Sequence, residues 1–196
     1  MARRILLAVG VGGGLLLIGG YALARRRRVG LEALAEDIAR AEGADLILLK
    51  AMIVPESGWN PNARNCSGSD GAGGCAWGLL QILLDTAKWM GFRGDPKALL
   101  DPATNLRIGA RLLASYQRRW GGDQDAMRFR VAWRAGQDAG DSWPPDHGSW
   151  RDVLVAGEDT FRKALKRYGW TGPVYRGRDI ALGRVATALC WPLAVG

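Results

Sequence analysis

The chain has 196 residues, 48% of them hydrophobic and 23% charged, with a formal net charge of +8. That is enough chain for one domain with a real core, at an ordinary globular composition. The charge would suggest a nucleic-acid partner if it were spread over the chain, but Arg3, Arg4 and Arg25 to Arg28 supply six of the eight positive charges. Past residue 28 the chain carries about +2, so nucleic-acid binding is excluded from the expected functions.

In chain order, Ile5 to Ala24 comes first, an uncharged run of 20 residues rich in glycine. As a helix it spans about 30 Å, the thickness of a bilayer's hydrocarbon core, and Gly10 and Gly14 form a GxxxG pair. Ala22-Leu23-Ala24 also fits the small-x-small site of a cleaved signal, but four arginines directly behind it would hinder export. The expectation is a membrane anchor over residues 1–28, with basic flanks that meet lipid headgroups. The positive-inside rule puts the Arg25–Arg28 end in the cytoplasm.

The remainder, residues 29–196, reads as one helical domain. Leu31, Leu34, Ala35 and Ile38 keep helical spacing up to a stop at Gly43. Asp45 caps a second helix through Leu49 and Ile53, apolar on nearly every side and therefore buried, with Pro55 in its last turn. Asp85 caps a short helix to Met90, ended by Gly91. Asp101-Pro102 opens a long helix with a Leu106, Gly109, Leu113, Tyr116 face, closed by Gly121. Another runs from Asp125 to Ala135 and ends at Gly136. Ser142 to Gly148 is a Pro- and Trp-containing loop, followed by helices near Trp150–Val155, Thr160–Tyr168 and Asp179–Leu189. No strand pair, repeat or linker stands out.

Cys66 and Cys75 bracket a glycine-rich loop. Their spacing does not suit zinc and the chain has a single histidine, His147, in a loop, so no metal or cofactor is expected. A Cys66–Cys75 disulfide and a pair of free thiols both remain open. Cys190 has no evident partner and reads as a small core residue.

Three stretches carry the chemistry. Pro55-Glu56-Ser57-Gly58-Trp59-Asn60-Pro61 sets one carboxylate at the end of the apolar segment Leu46–Val54. Ala76-Trp77-Gly78-Leu79-Leu80-Gln81-Ile82 follows, then Ala132-Trp133-Arg134-Ala135-Gly136. A carboxylic acid protonates a leaving oxygen only if it keeps its proton near neutral pH. Free Glu has a pKa of about 4.3, so the site must raise it, and burial beside Ile53, Val54 and Trp59 would do so.

In this order the three stretches resemble the soluble lytic transglycosylase family, over residues 45–136. The resemblance implies an all-α, lysozyme-like domain that cuts peptidoglycan glycan strands. It implies Glu56 as the catalytic acid and base, with Ser57 holding the carboxylate or the substrate acetamido group. Gly78, Leu80 and Gln81 match a Gly-Leu-Met-Gln turn that binds sugar. Asp85-Thr86-Ala87 and Leu100-Asp101-Pro102-Asn105-Gly109 match supporting elements. Ala132, Trp133 and Arg134 stand where the family has Ala-Tyr-Asn; Trp133 cannot accept a hydrogen bond as Tyr can. Arg134 close to Glu56 would oppose the acid role, so it is expected to point elsewhere or to bind a substrate carboxylate.

One carboxylate suffices for such an enzyme, because the 6-hydroxyl of N-acetylmuramic acid attacks its own C1, leaving a 1,6-anhydro end and consuming no water. The rival readings are a hydrolytic muramidase with Asp70 or Asp85 orienting water, and a catalytically inactive wall-binding membrane protein. Trp59, Trp77 and Trp133 are candidates to line the cleft, while Trp120, Trp150 and Trp170 read as packing. The anchor's direction conflicts with wall access, which is met by delivery from a virus particle or by an envelope-spanning complex.

Overall fold

The computed structural model describes residues 9–66, 74–121, 125–135, 137–141 and 157–174. Its first element is one unbroken helix, α1, Val9–Glu42. The helix expected around Leu31–Ile38 is the C-terminal part of this longer one, which turns Ala35, Ile38 and Ala39 into the core. Gly43, at φ +69, ends it as expected. The anchor expected over Ile5–Ala24 begins outside the described residues. Among the described residues no helix is long and apolar enough to cross a membrane.

The centre of the core is α2, Leu46–Ser57, which buries Leu48, Leu49, Ala51, Met52 and Ile53. The leucine, methionine and isoleucine side chains each contribute about 1.5–3 kcal/mol when fully buried. Asp45 caps it by accepting from the Leu48 backbone N–H at 2.8 Å, as its position suggested. The helix survives Pro55 because the proline lies in the last turn, where one missing donor matters least. Gly58, at φ 60, closes it by donating to the Ile53 and Val54 carbonyls.

A small antiparallel sheet follows, where no strand pair was expected. It is ordered β1 (Arg64–Cys66), β2 (Cys75–Trp77), β3 (Ile82–Leu83). Strands of two or three residues are too short to show alternation, so their pattern is invisible in sequence. Cys66 and Cys75 face each other in the β1–β2 register and are joined by a disulfide. This resolves the open choice between bridge and free thiols.

Helix α3, Leu84–Trp89, starts two residues earlier than a cap at Asp85 would place it. Asp85 is inside its first turn, not at the cap, and pairs with Lys88 at 3.5 Å. An unexpected 3-10 turn, Pro96–Leu100, is capped by Asp95. Then comes α4, Pro102–Trp120, with Asp101 accepting from Thr104 N–H as its cap. Next are α5 (Ala126–Ala135), α6 (Gln137–Asp141) and α7 (Glu158–Tyr168). Helix α6 was not expected. The expected helices at Trp150–Val155 and Asp179–Leu189, the loop Ser142–Gly148, and Asp70, His147, Trp150 and Cys190 lie outside the described residues.

Packing brings α1 and α7 around α2. Arg111 Nε of α4 donates to Glu42 Oε2 at 2.9 Å, and Gln117 Oε1 of α4 accepts from the Asp45 backbone N–H at 2.9 Å. The Tyr168 hydroxyl of α7 joins three elements. It accepts from Arg28 Nη2 (3.0 Å) and Trp59 Nε1 (3.1 Å), and donates to Glu32 Oε1 (3.3 Å).

Candidate active site

Glu56 lies in the last turn of α2, so the buried, apolar body of that helix fixes its backbone. Its side chain is 14% exposed, so it is mostly covered. The residue after it ties the helix end to the second motif, since Ser57 Oγ donates to the Leu79 carbonyl at 2.7 Å. The Ser57 hydroxyl thus donates to the turn and makes no bond to the Glu56 carboxylate among the described residues. Only the oxygen's acceptor capacity remains for a ligand.

The turn Gly78–Gln81 is shaped by Asn105, fully buried on α4. Asn105 Nδ2 donates to the Trp77 and Leu99 carbonyls at 2.8 and 2.9 Å, and its Oδ1 accepts from the Leu80 N–H at 2.9 Å. Gly78 has φ +70, and a Cβ there would sit 2.5 Å from Asn105 Nδ2 and 2.5 Å from the Leu99 oxygen. Glycine is required at this position for close approach to Asn105. Gln81, at φ 48, donates through Nε2 to the carbonyls of Gly78 (2.9 Å) and Ala63 (3.2 Å). Its Oε1 bonds no described residue.

Leu80 is fully buried, with its methyl group in the notch left by Gly109. A Cβ at Gly109 would meet Leu80 Cδ1 at 2.2 Å and Trp133 Cη2 at 3.3 Å. The expectation that Leu80 contacts substrate is thus corrected: it joins the turn to the core. Ala132 is buried too and accepts, at 3.4 Å, from the Tyr116 hydroxyl. The half-buried Trp133 reaches the same Gly109 notch, so the second and third motifs meet there.

Trp77 offers no open face, contrary to the cleft-lining expectation, whereas the mostly buried Trp59 lines a cavity. Trp59 is 5% exposed and donates to Tyr168. Trp77 is 3% exposed, its ring covered by the Arg64 guanidinium at 4.4 Å. A cavity of about 840 Å³ does lie beside Trp59, between Arg25, Arg27, Arg28 and Arg167 and the segment Gly58–Asn62. It follows directly on Glu56 in sequence but is not lined by it.

Arg134 is exposed and makes no hydrogen bond to Glu56 among the described residues. The cation that meets Glu56 is Arg130, one helical turn earlier on α5, through Arg130 Nη1 and Glu56 Oε1. Arg130 is 2% exposed. Burial pulls its guanidinium below the usual arginine range, against the raising effect of Glu56; Arg134 adds to the lowering. The purely apolar surround expected for Glu56 is therefore only half present. Sequence reading missed Arg130, although its position in the row Ala126, Phe129, Arg130, Trp133 marks it as core-facing.

Three separated stretches thus converge through Ser57–Leu79, Leu80–Gly109–Trp133 and Glu56–Arg130. The family described as Transglycosylase SLT domain matches residues 33–149, more than half of the chain. The chain belongs to this family. A curated relative, the "Membrane-bound lytic murein transglycosylase F" of Shewanella pealeana, is 39% identical to the SLT chain over 75 residues. The match covers 38% of this chain and 13% of that protein. The resemblance read from Glu56, the Gly78–Gln81 turn and the Ala132–Gly136 stretch therefore holds at the family level. The matched range includes all three stretches and Arg130.

Proposed function

We propose that this SLT domain cleaves the β-1,4 bond between N-acetylmuramic acid and N-acetylglucosamine in peptidoglycan, leaving 1,6-anhydro ends. The observation that carries the reading is one partly exposed carboxylate, Glu56, held at the end of a buried helix beside the Gly78–Gln81 turn. Glu56 first gives its proton to the glycosidic oxygen. The C1–O bond breaks with its electron pair going to that oxygen, which leaves as the sugar's 4-hydroxyl. The carboxylate then takes the proton of the muramic 6-hydroxyl as its oxygen bonds to C1. Glu56 ends protonated, and no water is consumed. Gln81 Oε1 and the half-buried Trp133 are the groups we assign to sugar contact.

The hydrolytic alternative needs a second carboxylate to orient water. Of its two candidates, Asp70 lies outside the described residues, and Asp85 is 84% exposed and paired with Lys88, which suits a solvated helix turn and disfavours that role. Digestion of purified sacculi, read by mass spectrometry, tests the reading. Wild type should release anhydro ends and Glu56→Gln should release none. Reducing ends would point to hydrolysis, and equal digestion by both proteins would remove Glu56 as the catalyst.

We further propose that residues 5–24 anchor the chain in a lipid membrane and that residues 29–196 act on the wall, either from a virus particle or within an envelope-spanning complex. The support is the uncharged run, its arginine flanks and the conflict between those flanks and wall access. Protease shaving of intact cells or particles tests it: protection of the C-terminal part in both settings would exclude wall access.

A further inference from the structure

We infer that Arg130 is a positioning residue for the proposed reaction: it holds one oxygen of the Glu56 carboxyl group so that the other is presented to the glycan. The inference rests on the assignment of Glu56 as the acid and base. Arg130 Nη1 engages Glu56 Oε1, while Oε2 bonds no described residue. The carboxyl group is thus divided between a held oxygen and a working one.

Stability does not account for this arrangement. Arg130 carries five N–H donors into a site where its side chain is 3% exposed. Its Nε and Nη2 are buried and find no acceptor among the described residues. Beneath the guanidinium lies the ring of Phe161 at 5.7 Å, and Nη2 stands 3.5 Å from where a Cβ on Gly157 would be. The charged groups that act on it are Glu56 from α2 and Arg134 from its own helix. A buried cation with unfilled donors is costly, and an apolar side chain of similar volume generally serves a core at least as well. What an apolar residue cannot do is fix Glu56.

The held oxygen can stay held through both halves of the reaction, although a cation beside Glu56 disfavours the protonated form from which the acid step starts. A neutral carboxyl with its proton on Oε2 still accepts from Arg130 through Oε1, so the acid step does not require the pair to part. Once the proton has gone to the leaving oxygen, the carboxylate formed meets a positive charge already in place, which needs no reorganisation. Oε2 is then oriented to take the proton of the 6-hydroxyl. Arg130 touches no sugar in this scheme and acts only through Glu56.

Steady-state digestion of soluble glycan strands by wild type, Arg130→Met, Arg130→Lys and Glu56→Gln tests the inference. Arg130→Met should lower kcat about 100-fold, the scale of a small misplacement of a reacting group. KM should stay near the wild-type value. Arg130→Lys should recover part of the loss, since it restores the charge without the planar fork. A wild-type kcat in Arg130→Met would overturn the inference while leaving Glu56 as catalyst. Equal activity of wild type and Glu56→Gln would sink the functional reading itself. If Arg130→Met is poorly folded, thermal melting of Glu56→Gln/Arg130→Met decides. The double variant should melt higher than Arg130→Met, because no carboxylate is left unpaired; equal or lower melting would count against the pair.

Discussion

Asn105 spends one buried amide on three backbone partners, Trp77, Leu80 and Leu99. Removing it leaves two carbonyls and one N–H without partners in the core. Asn105→Ala should therefore cost about 2–4 kcal/mol, read from urea unfolding, and should disturb the Gly78–Gln81 turn more than a surface change of equal size. Gly109 is constrained by packing rather than by backbone conformation. Gly109→Val forces side-chain atoms into Leu80 and Trp133 and should destabilise the fold by about 1–3 kcal/mol. Activity of the surviving fraction should fall as well, because Trp133 is displaced. Asn105 was legible only as part of a resemblance, and Gly109 also as one position on a helix face. Their physical roles depend on distant neighbours, Trp77 at 28 positions from Asn105 and Leu80 opposite Gly109, which no local pattern encodes.

At the level of elements, the sheet and the α4–α6 contact behave differently. The Cys66–Cys75 bridge pins β1 to β2, and its reduction should lower stability by about 2–3 kcal/mol in the chain-entropy model, measured by unfolding with and without reductant. A thiol count on the unreduced protein should find the pair absent. On the other side, Arg119 and Trp120 of α4 both donate to Asp141 of α6. The Arg119 and Trp120 hydrogen bonds pull the Asp141 carboxyl down to about 2. Because the folded value is depressed, the contribution is present above the unfolded value near 4 and is lost as pH falls from about 4 to 2. Asp141→Asn should flatten the acid limb of stability over that window in a thermal-melt series. Helix α6 itself was not predicted: five residues with two aspartates and a glycine have no helical signature. Docking on Trp120 explains its place, since a Cβ on Gly140 would meet that ring at 2.4 Å.

Across the whole molecule, Tyr116 sits where α4 meets α5, with its hydroxyl on the Ala132 carbonyl. Burial, with a smaller contribution from Asp141, pushes the phenol up to about 12. A raised folded value means the unfolded chain releases its proton first. Stability from this group is therefore complete below about pH 10 and lost as pH rises from about 10 to 12. Tyr116→Phe should show a shallower alkaline decline, at a cost near neutrality of no more than about 1 kcal/mol for the long hydrogen bond. Tyr168, by contrast, ties α1, the end of α2 and α7 together through three bonds. Tyr168→Phe should loosen α1 past Arg28, read as faster amide exchange over Leu31–Ala39.

Local sequence patterns determined the helices with strong caps. Asp45 and Asp101 start α2 and α4 where expected, Gly58 and Gly121 sit at their ends, and the all-round apolar run of α2 announced its burial. They also determined that Glu56 ends a buried helix and that its motifs occur in the family's order, because capping, periodicity and spacing are short-range properties. Only the tertiary structure decided what those residues touch. It spent Ser57 on Leu79, sank Leu80 and two of the three candidate tryptophans into the core, and set Arg130 rather than Arg134 against Glu56. Those outcomes turn on which faces of α2, α4, α5 and the turn meet, and a long-range meeting leaves no trace in any single stretch of chain.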